Sequence, residues 1–148
     1  IKPNVEELRE MLGEQIKDSS VSLAKAGRKL LDKVDIVLIS RGAKGAVAVT
    51  KYGAWQGRCT GRAEVCSTVG CGDFLLAGFM KVFNEDPGTG SALETAIKVA
   101  TARAWGWTEE TSCRGHSFDR AQDRLARKSR AGRPRHYQSR IQVQIKRV

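Results

Sequence analysis

Between Asp35 and Ser40 stand four consecutive apolar residues, Ile36, Val37, Leu38 and Ile39, three of them β-branched. A strand with one wet face alternates apolar and polar residues. This run has no polar face to offer water, so it predicts a strand inside a sheet that is covered on both sides. Covering both faces needs helices, and the chain supplies helical periods before and after it. The succession therefore points to a layered α/β sheet.

The remaining elements follow from local signals. A short helix runs from Val5 to about Leu12 and closes at Gly13. Ser19 and Ser20 precede a second helical stretch to Lys33, with Val21, Leu23, Ala24, Leu30 and Leu31 as its core candidates. Ala46 to Thr50 and Ala54 to Cys59 read as short strands, joined by turns at Ala43-Lys44-Gly45 and Tyr52-Gly53, and Arg62 to Cys66 reads as another. An apolar helix follows from Asp73 to Phe83, then a turn around Pro87 and Gly88. Ser91 is placed to cap a last helix, on which Ala92, Leu93, Ala96, Ile97, Ala100 and Ala104 recur at three- and four-residue steps. No internal repeat is present.

The segment Ser67-Thr68-Val69-Gly70-Cys71-Gly72-Asp73-Phe74 carries the chemistry. Glycines let the backbone turn without a Cβ clash and bring its N–H groups close to a ligand, and the helix that follows adds unpaired N–H groups and a positive dipole end. Together these make an anion site with an aspartate beside it. The plainer reading of Gly-x-Gly-Asp is a strand-to-helix turn with Asp as a cap. A Walker A loop is excluded, because Asp73 and Phe74 stand where Lys and Ser/Thr belong, and the dinucleotide fingerprint is excluded by Leu75 at its third glycine.

The whole stretch to Met80 resembles the C-terminal signature of the PfkB (ribokinase-like) carbohydrate kinases, in which a Gly-Ala-Gly-Asp loop is followed after three residues by Ala-Gly and two apolar positions. Ala77, Gly78, Phe79 and Met80 fall in register, and Cys71 is the one departure, a thiol where the family carries Ala, Ser or Gly. The pair Val69-Gly70 is more similar to the 1-phosphofructokinase and tagatose-6-phosphate kinase branch. Upstream, Lys2-Pro3-Asn4-Val5-Glu6-Glu7-Leu8 resembles the Lys-Pro-Asn-x-x-Glu-Leu motif of phosphosugar kinases. It is equally a capping box, Asn with Glu three residues on. Ser40-Arg41-Gly42-Ala43-Lys44-Gly45 resembles the Ser-x-Gly-x-x-Gly turn that borders the nucleotide, and by itself is an ordinary hairpin turn.

The resemblance implies a ribokinase-like fold, of which residues 1–112 form the C-terminal, nucleotide-binding half, with the sugar-gripping half expected before Ile1. It implies transfer of a phosphoryl group from ATP, with Mg2+, to a ketohexose phosphate, foremost fructose 1-phosphate giving fructose 1,6-bisphosphate. By the same resemblance Asp73 is the general base, and the N–H groups of Gly70, Cys71 and Gly72 form the anion hole. Lys2, Ser40, Gly42 and Gly45 border the nucleotide, and Asn4 and Glu7 hold hydrated magnesium. A homodimer is expected of the full-length protein. A half sheet on its own is expected to expose an apolar strand edge.

Charge separates the end of the chain from its body. Residues 113–148 hold 11 of the 26 basic and 2 of the 16 acidic residues, which is nearly all of the net charge of +10. This segment is poor in large apolar residues and is expected to form a basic, disordered tail. Within it Ile141-Gln142-Val143-Gln144-Ile145 alternates like a strand, and Gly132-Arg133-Pro134-Arg135 looks like the core of an AT-hook. The alternative function is therefore nucleic-acid binding through the tail. No run approaches the roughly 20 apolar residues of a membrane helix, and a secretory core is absent from the N-terminus, so a cytoplasmic protein is expected. Cys59, Cys66, Cys71 and Cys113 form no C-x-x-C pair, which favours free thiols.

Overall fold

The computed structural model describes residues 1–61, 65–85, 88–106 and 141–148. Its elements are α1 (Val5–Leu12), α2 (Ser20–Arg28), β1 (Ile36–Ser40), a 3-10 turn (Gly42–Lys44), β2 (Ala46–Thr50), β3 (Gly53–Cys59), α3 (Cys71–Glu85), α4 (Thr89–Ala104) and β4 (Val143–Arg147). The strands lie in the order β1-β2-β3-β4, each antiparallel to its neighbour.

β1 has the interior place that its apolar run predicts. β2 pairs with one edge, Leu38 opposite Ala48. Along the other edge the first residues of the chain run parallel to it, with Leu38 N–H donating to Ile1 O at 2.9 Å and Ser40 N–H to Pro3 O at 2.9 Å. Asn4 then bridges to Ser40. Both segments therefore end at the same rim of the sheet.

Both faces of the sheet are covered. Val37, Ile39, Val47 and Val49 point to one side and pack with Leu8 of α1 and Leu23 and Ala24 of α2. Leu38, Ala46 and Ala48 point to the other and pack with Leu75 and Phe79 of α3 and Leu93 and Ile97 of α4. The period of two along each strand thus feeds two cores from one run of sequence. Gly57 of β3 makes room for this, since a Cβ there would lie 2.5 Å from Ile97 Cδ1 and 2.6 Å from Ile145 Cδ1.

Several expectations are corrected. Val21 is 69% exposed: with Ser19 as the N-cap, the helical phase turns Leu23, Ala24 and Gly27 to the sheet and sends Val21 to the opposite side. α2 ends at Arg28, and the chain continues to Val34 in tighter turns, such as Leu30 N–H to Gly27 O at 3.0 Å. α3 begins at Cys71, two residues before the expected start, because Gly70 at φ 78° already makes the corner. α4 begins at Thr89 with Gly88 at its N-cap, ahead of Ser91. Of the strand expected over Arg62 to Cys66, positions 62–64 lie outside the described residues; Val65 and Cys66 pair with no strand, and Cys66 N–H donates to Ala104 O at 2.8 Å.

The end of the chain belongs to the sheet. β4 covers the edge of β3, with Ile145 opposite Gly57, and Ile141 is 2% exposed against Ala102 and Trp105. The disordered tail expected over 113–148 therefore does not extend to the last eight residues. The alternation of Ile141 to Ile145 is the signal that holds. The strand β4 carries the polar Gln144, Lys146 and Arg147 at its own end of the sheet, and charge on an edge strand opposes further strand addition. Residues 107–140, with the AT-hook-like Gly132-Arg133-Pro134-Arg135 and Cys113, lie outside the described residues.

Candidate active site

The site is built where the two parallel segments end and α3 begins. Gly70, at φ 78°, turns the chain into α3, a conformation that a Cβ would strain. Its carbonyl accepts from Asp73 N–H and Phe74 N–H, both at 3.0 Å, which closes the first turn. Cys71 N–H donates to Thr68 O at 3.2 Å. Among the described residues no such bond is recorded for the N–H groups of Gly70 and Gly72, so these are the open donors of the corner. Asp73 sits in the first helical turn with its side chain exposed. There a carboxylate complements the helix dipole and is accessible to a substrate.

Lys2 reaches this corner from the first segment. A Cβ on Gly72 would lie 3.1 Å from Lys2 Nζ. The ammonium group therefore lies close against the backbone of Gly72, where a side chain would have to displace it. The structure brings together a cation, two open N–H groups and a helix N-terminus, which is the chemistry of a phosphate site.

Asn4 and Glu7 form a full capping box at the start of α1. Glu7 N–H donates to Asn4 Oδ1 at 2.9 Å, and Asn4 N–H donates to Glu7 Oε2 at 2.8 Å. Among the described residues no hydrogen bond or ion pair joins either of them to Asp73. The described residues also contain no cluster of three or more His, Cys, Asp or Glu able to enclose a metal. What Asn4 and Glu7 retain is a free carboxylate oxygen and spare lone pairs, exposed to water. That donor set fits a hydrated Mg2+ held through its waters, since this ion prefers oxygen ligands and sheds water reluctantly.

Ser40, Gly42 and Gly45 lie on the turn beyond β1. Gly42 has φ 55° and open space beside it, whereas Gly45 has φ 88° and a Cβ there would fall 2.0 Å from Gly57 O. The turn is closed by Arg41 N–H to Gly45 O at 2.8 Å. Asp18 fastens it from outside, accepting from Arg41 Nε at 2.8 Å and also pairing with Lys44. The Lys44 and Arg41 hydrogen bonds hold the Asp18 carboxyl below its usual range, and partial burial opposes them. Asp18 was not singled out from the sequence. Nothing in its local pattern points to a partner 23 residues away.

Arg103 was also missed. It stands in the last turn of α4, and its guanidinium carbon lies 6.0 Å from the Phe74 ring centroid. Burial pushes the Cys71 thiol up, and the Arg103 charge pulls it partly back. Cys71 Sγ lies 3.6 Å from Ser67 O. Cys59, Cys66 and Cys71 are free thiols, as expected. Among the described residues no helix is long and apolar enough to cross a membrane.

Residues 1–117 match the model of a family described as "pfkB family carbohydrate kinase". The 1-phosphofructokinase of Borreliella burgdorferi is 32% identical over 103 residues, covering 69% of this chain and 32% of the relative. That of Haemophilus influenzae is 29% identical over 100 residues, covering 68% of this chain and 32% of the relative. The chain thus spans about a third of the length of the curated relatives that it matches. A solved structure from Staphylococcus aureus, provisionally described as a phosphofructokinase, aligns over 100% of this chain and 41% of its own, with a TM-score of 0.74 and 26% identity.

Proposed function

We propose that this chain, which belongs to the pfkB family of carbohydrate kinases, supplies the nucleotide side of an ATP-dependent sugar-phosphate kinase, with fructose 1-phosphate as the acceptor. The substrate reading draws on the 1-phosphofructokinases among its relatives. The kinase region is residues 1–112, working with the kinase's sugar-binding elements, in a cytoplasmic protein that dimerises at full length.

One observation carries the reading: Lys2 Nζ stands beside Gly72 at the N-terminus of α3, one residue from the exposed Asp73. Asp73 takes the proton of the sugar hydroxyl as that oxygen attacks the γ-phosphorus of ATP, and the β–γ bridging oxygen leaves with its electron pair on ADP. Gly70 and Gly72 donate N–H groups to the transferring phosphoryl oxygens. Cys71 joins them once its N–H exchanges Thr68 O for the anion. Each such donor contributes about 3 kcal/mol where charge builds up in the transition state. Lys2 neutralises phosphate charge, and Ser40, Gly42 and Gly45 border the nucleotide. Asn4 and Glu7 would hold hydrated Mg2+, which supplies neutralisation of phosphate charge when bound.

The test is Asp73→Asn in the intact protein, assayed for transfer from ATP to fructose 1-phosphate. Loss of a general base lowers kcat by about 10²- to 10⁴-fold, whereas loss of the helix-dipole interaction costs the fold only about 0.3 to 1 kcal/mol. Activity within tenfold of the parent would remove Asp73 from the mechanism.

A further inference from the structure

Two cations converge on the glycine corner, and only Lys2 is accounted for. Arg103 approaches from the end of α4: its Nε would be 3.9 Å from a Cβ on Gly70, its guanidinium stacks toward Phe74, and its charge is felt at the Cys71 thiol. Both side chains belong to half-buried residues. Among the described residues neither makes an ion pair or a side-chain hydrogen bond, although Asp18, Glu6, Glu14 and Glu94 each hold a basic partner elsewhere.

Lys2 and Arg103 thus each stand beside a glycine of this corner at the positive end of α3, with no carboxylate paired to either among the described residues. An anion bound there would give both a partner. The Phe74 ring holds the guanidinium by its face and leaves its N–H fork free, and such a fork matches the oxygens of a phosphate.

We infer that Arg103 is a phosphate-binding residue of this corner, which with Lys2 grips the polyphosphate of the nucleotide from two sides and makes the site prefer nucleoside triphosphates to monophosphates. The inference rests on the nucleotide reading above and adds to it a residue and a charge requirement. Arg103 comes from the end of α4 and lies outside the glycine motif, so the grip depends on α3 and α4 packing side by side. Phe74 acts through Arg103 as a positioning residue.

The experiment is calorimetric binding of a non-hydrolysable ATP analogue and of AMP to the intact protein and to its Arg103→Gln and Arg103→Lys variants, with thermal melts as the folding control. Arg103→Gln keeps the stem and removes the charge. It is expected to weaken the triphosphate analogue by about 10- to 100-fold, the range for one charged hydrogen-bonding group, and AMP by less than threefold. Arg103→Lys should recover part of the loss, and Phe74→Leu should fall between parent and Arg103→Gln. Triphosphate affinity unchanged in Arg103→Gln, or a loss equal for triphosphate and AMP, overturns the inference while leaving the kinase reading intact. A parent protein that binds neither nucleotide overturns both.

Discussion

Asp18 and Arg41 meet across the rim of the sheet, the carboxylate accepting from Arg41 Nε at 2.8 Å while the arginine side chain is 11% exposed. One acid at the entrance to α2 thereby fixes the turn that carries Gly42 and Gly45, and Lys44 pairs with its second oxygen.

Replacing Asp18 leaves the largely buried Arg41 without its carboxylate, with only the Asp18 carbonyl at 3.3 Å as an acceptor. Asp18→Ala should cost about 1 to 2 kcal/mol, in the range for hydrogen bonds to charged groups. The pH dependence has a defined sign. Because the folded carboxyl is held below 3.8, its contribution is complete above that value and is lost as pH falls through the lower folded value. Urea midpoints between pH 6 and pH 3 should therefore fall more steeply for the parent than for Asp18→Asn. Parallel pH profiles would show that the pair contributes nothing.

Gly45 and Gly42 should respond differently to alanine. At Gly45 a Cβ meets Gly57 O at 2.0 Å and the φ of 88° is strained, so Gly45→Ala should cost about 3 kcal/mol or more. At Gly42 the space is open and only the φ of 55° matters, so Gly42→Ala should cost about 1 kcal/mol. Equal losses in denaturant unfolding would contradict the close approach of the turn to β3.

Gly78 joins the two helices that flank the site. A Cβ there lies 3.0 Å from Ala96 Cα and 3.3 Å from Val99 Cβ, and backbone cannot swing aside as a side-chain tip can. Gly78→Val should destabilise by about 1 to 3 kcal/mol. It should also weaken nucleotide binding, by separating Gly70 at the start of one helix from Arg103 on the other. A variant as stable as the parent would show that α3 and α4 pack less closely.

Removing residues 141–148 should be damaging. The deletion uncovers β3, empties the place of Ile141 and removes Arg147, which lies 5.6 Å from the Trp55 ring. Loss of the Ile141 side chain alone costs about 2 kcal/mol, and the exposed β3 edge invites association. The midpoint of urea unfolding and light scattering measure the two effects. An unchanged midpoint with a monodisperse protein would mean that β4 is dispensable.

The elements were legible in the sequence because their signals are local. Four adjacent apolar residues at Ile36 to Ile39 sufficed for an interior strand, Asn4 with Glu7 for a helix start, and Gly70 and Gly72 for a corner, because backbone sterics and capping act within a few residues. The motif residues at that corner were legible for the same reason. Val21 was misplaced because an apolar side chain does not reveal helical phase, which Ser19 and the sheet set together. Only the tertiary structure could set Lys2 against Gly72, Asp18 against Arg41 and Arg103 against Phe74, and lay the last strand along β3. Those meetings depend on how helices pack across a sheet. Packing is decided by the shapes of both surfaces at once, and no single stretch of sequence contains both.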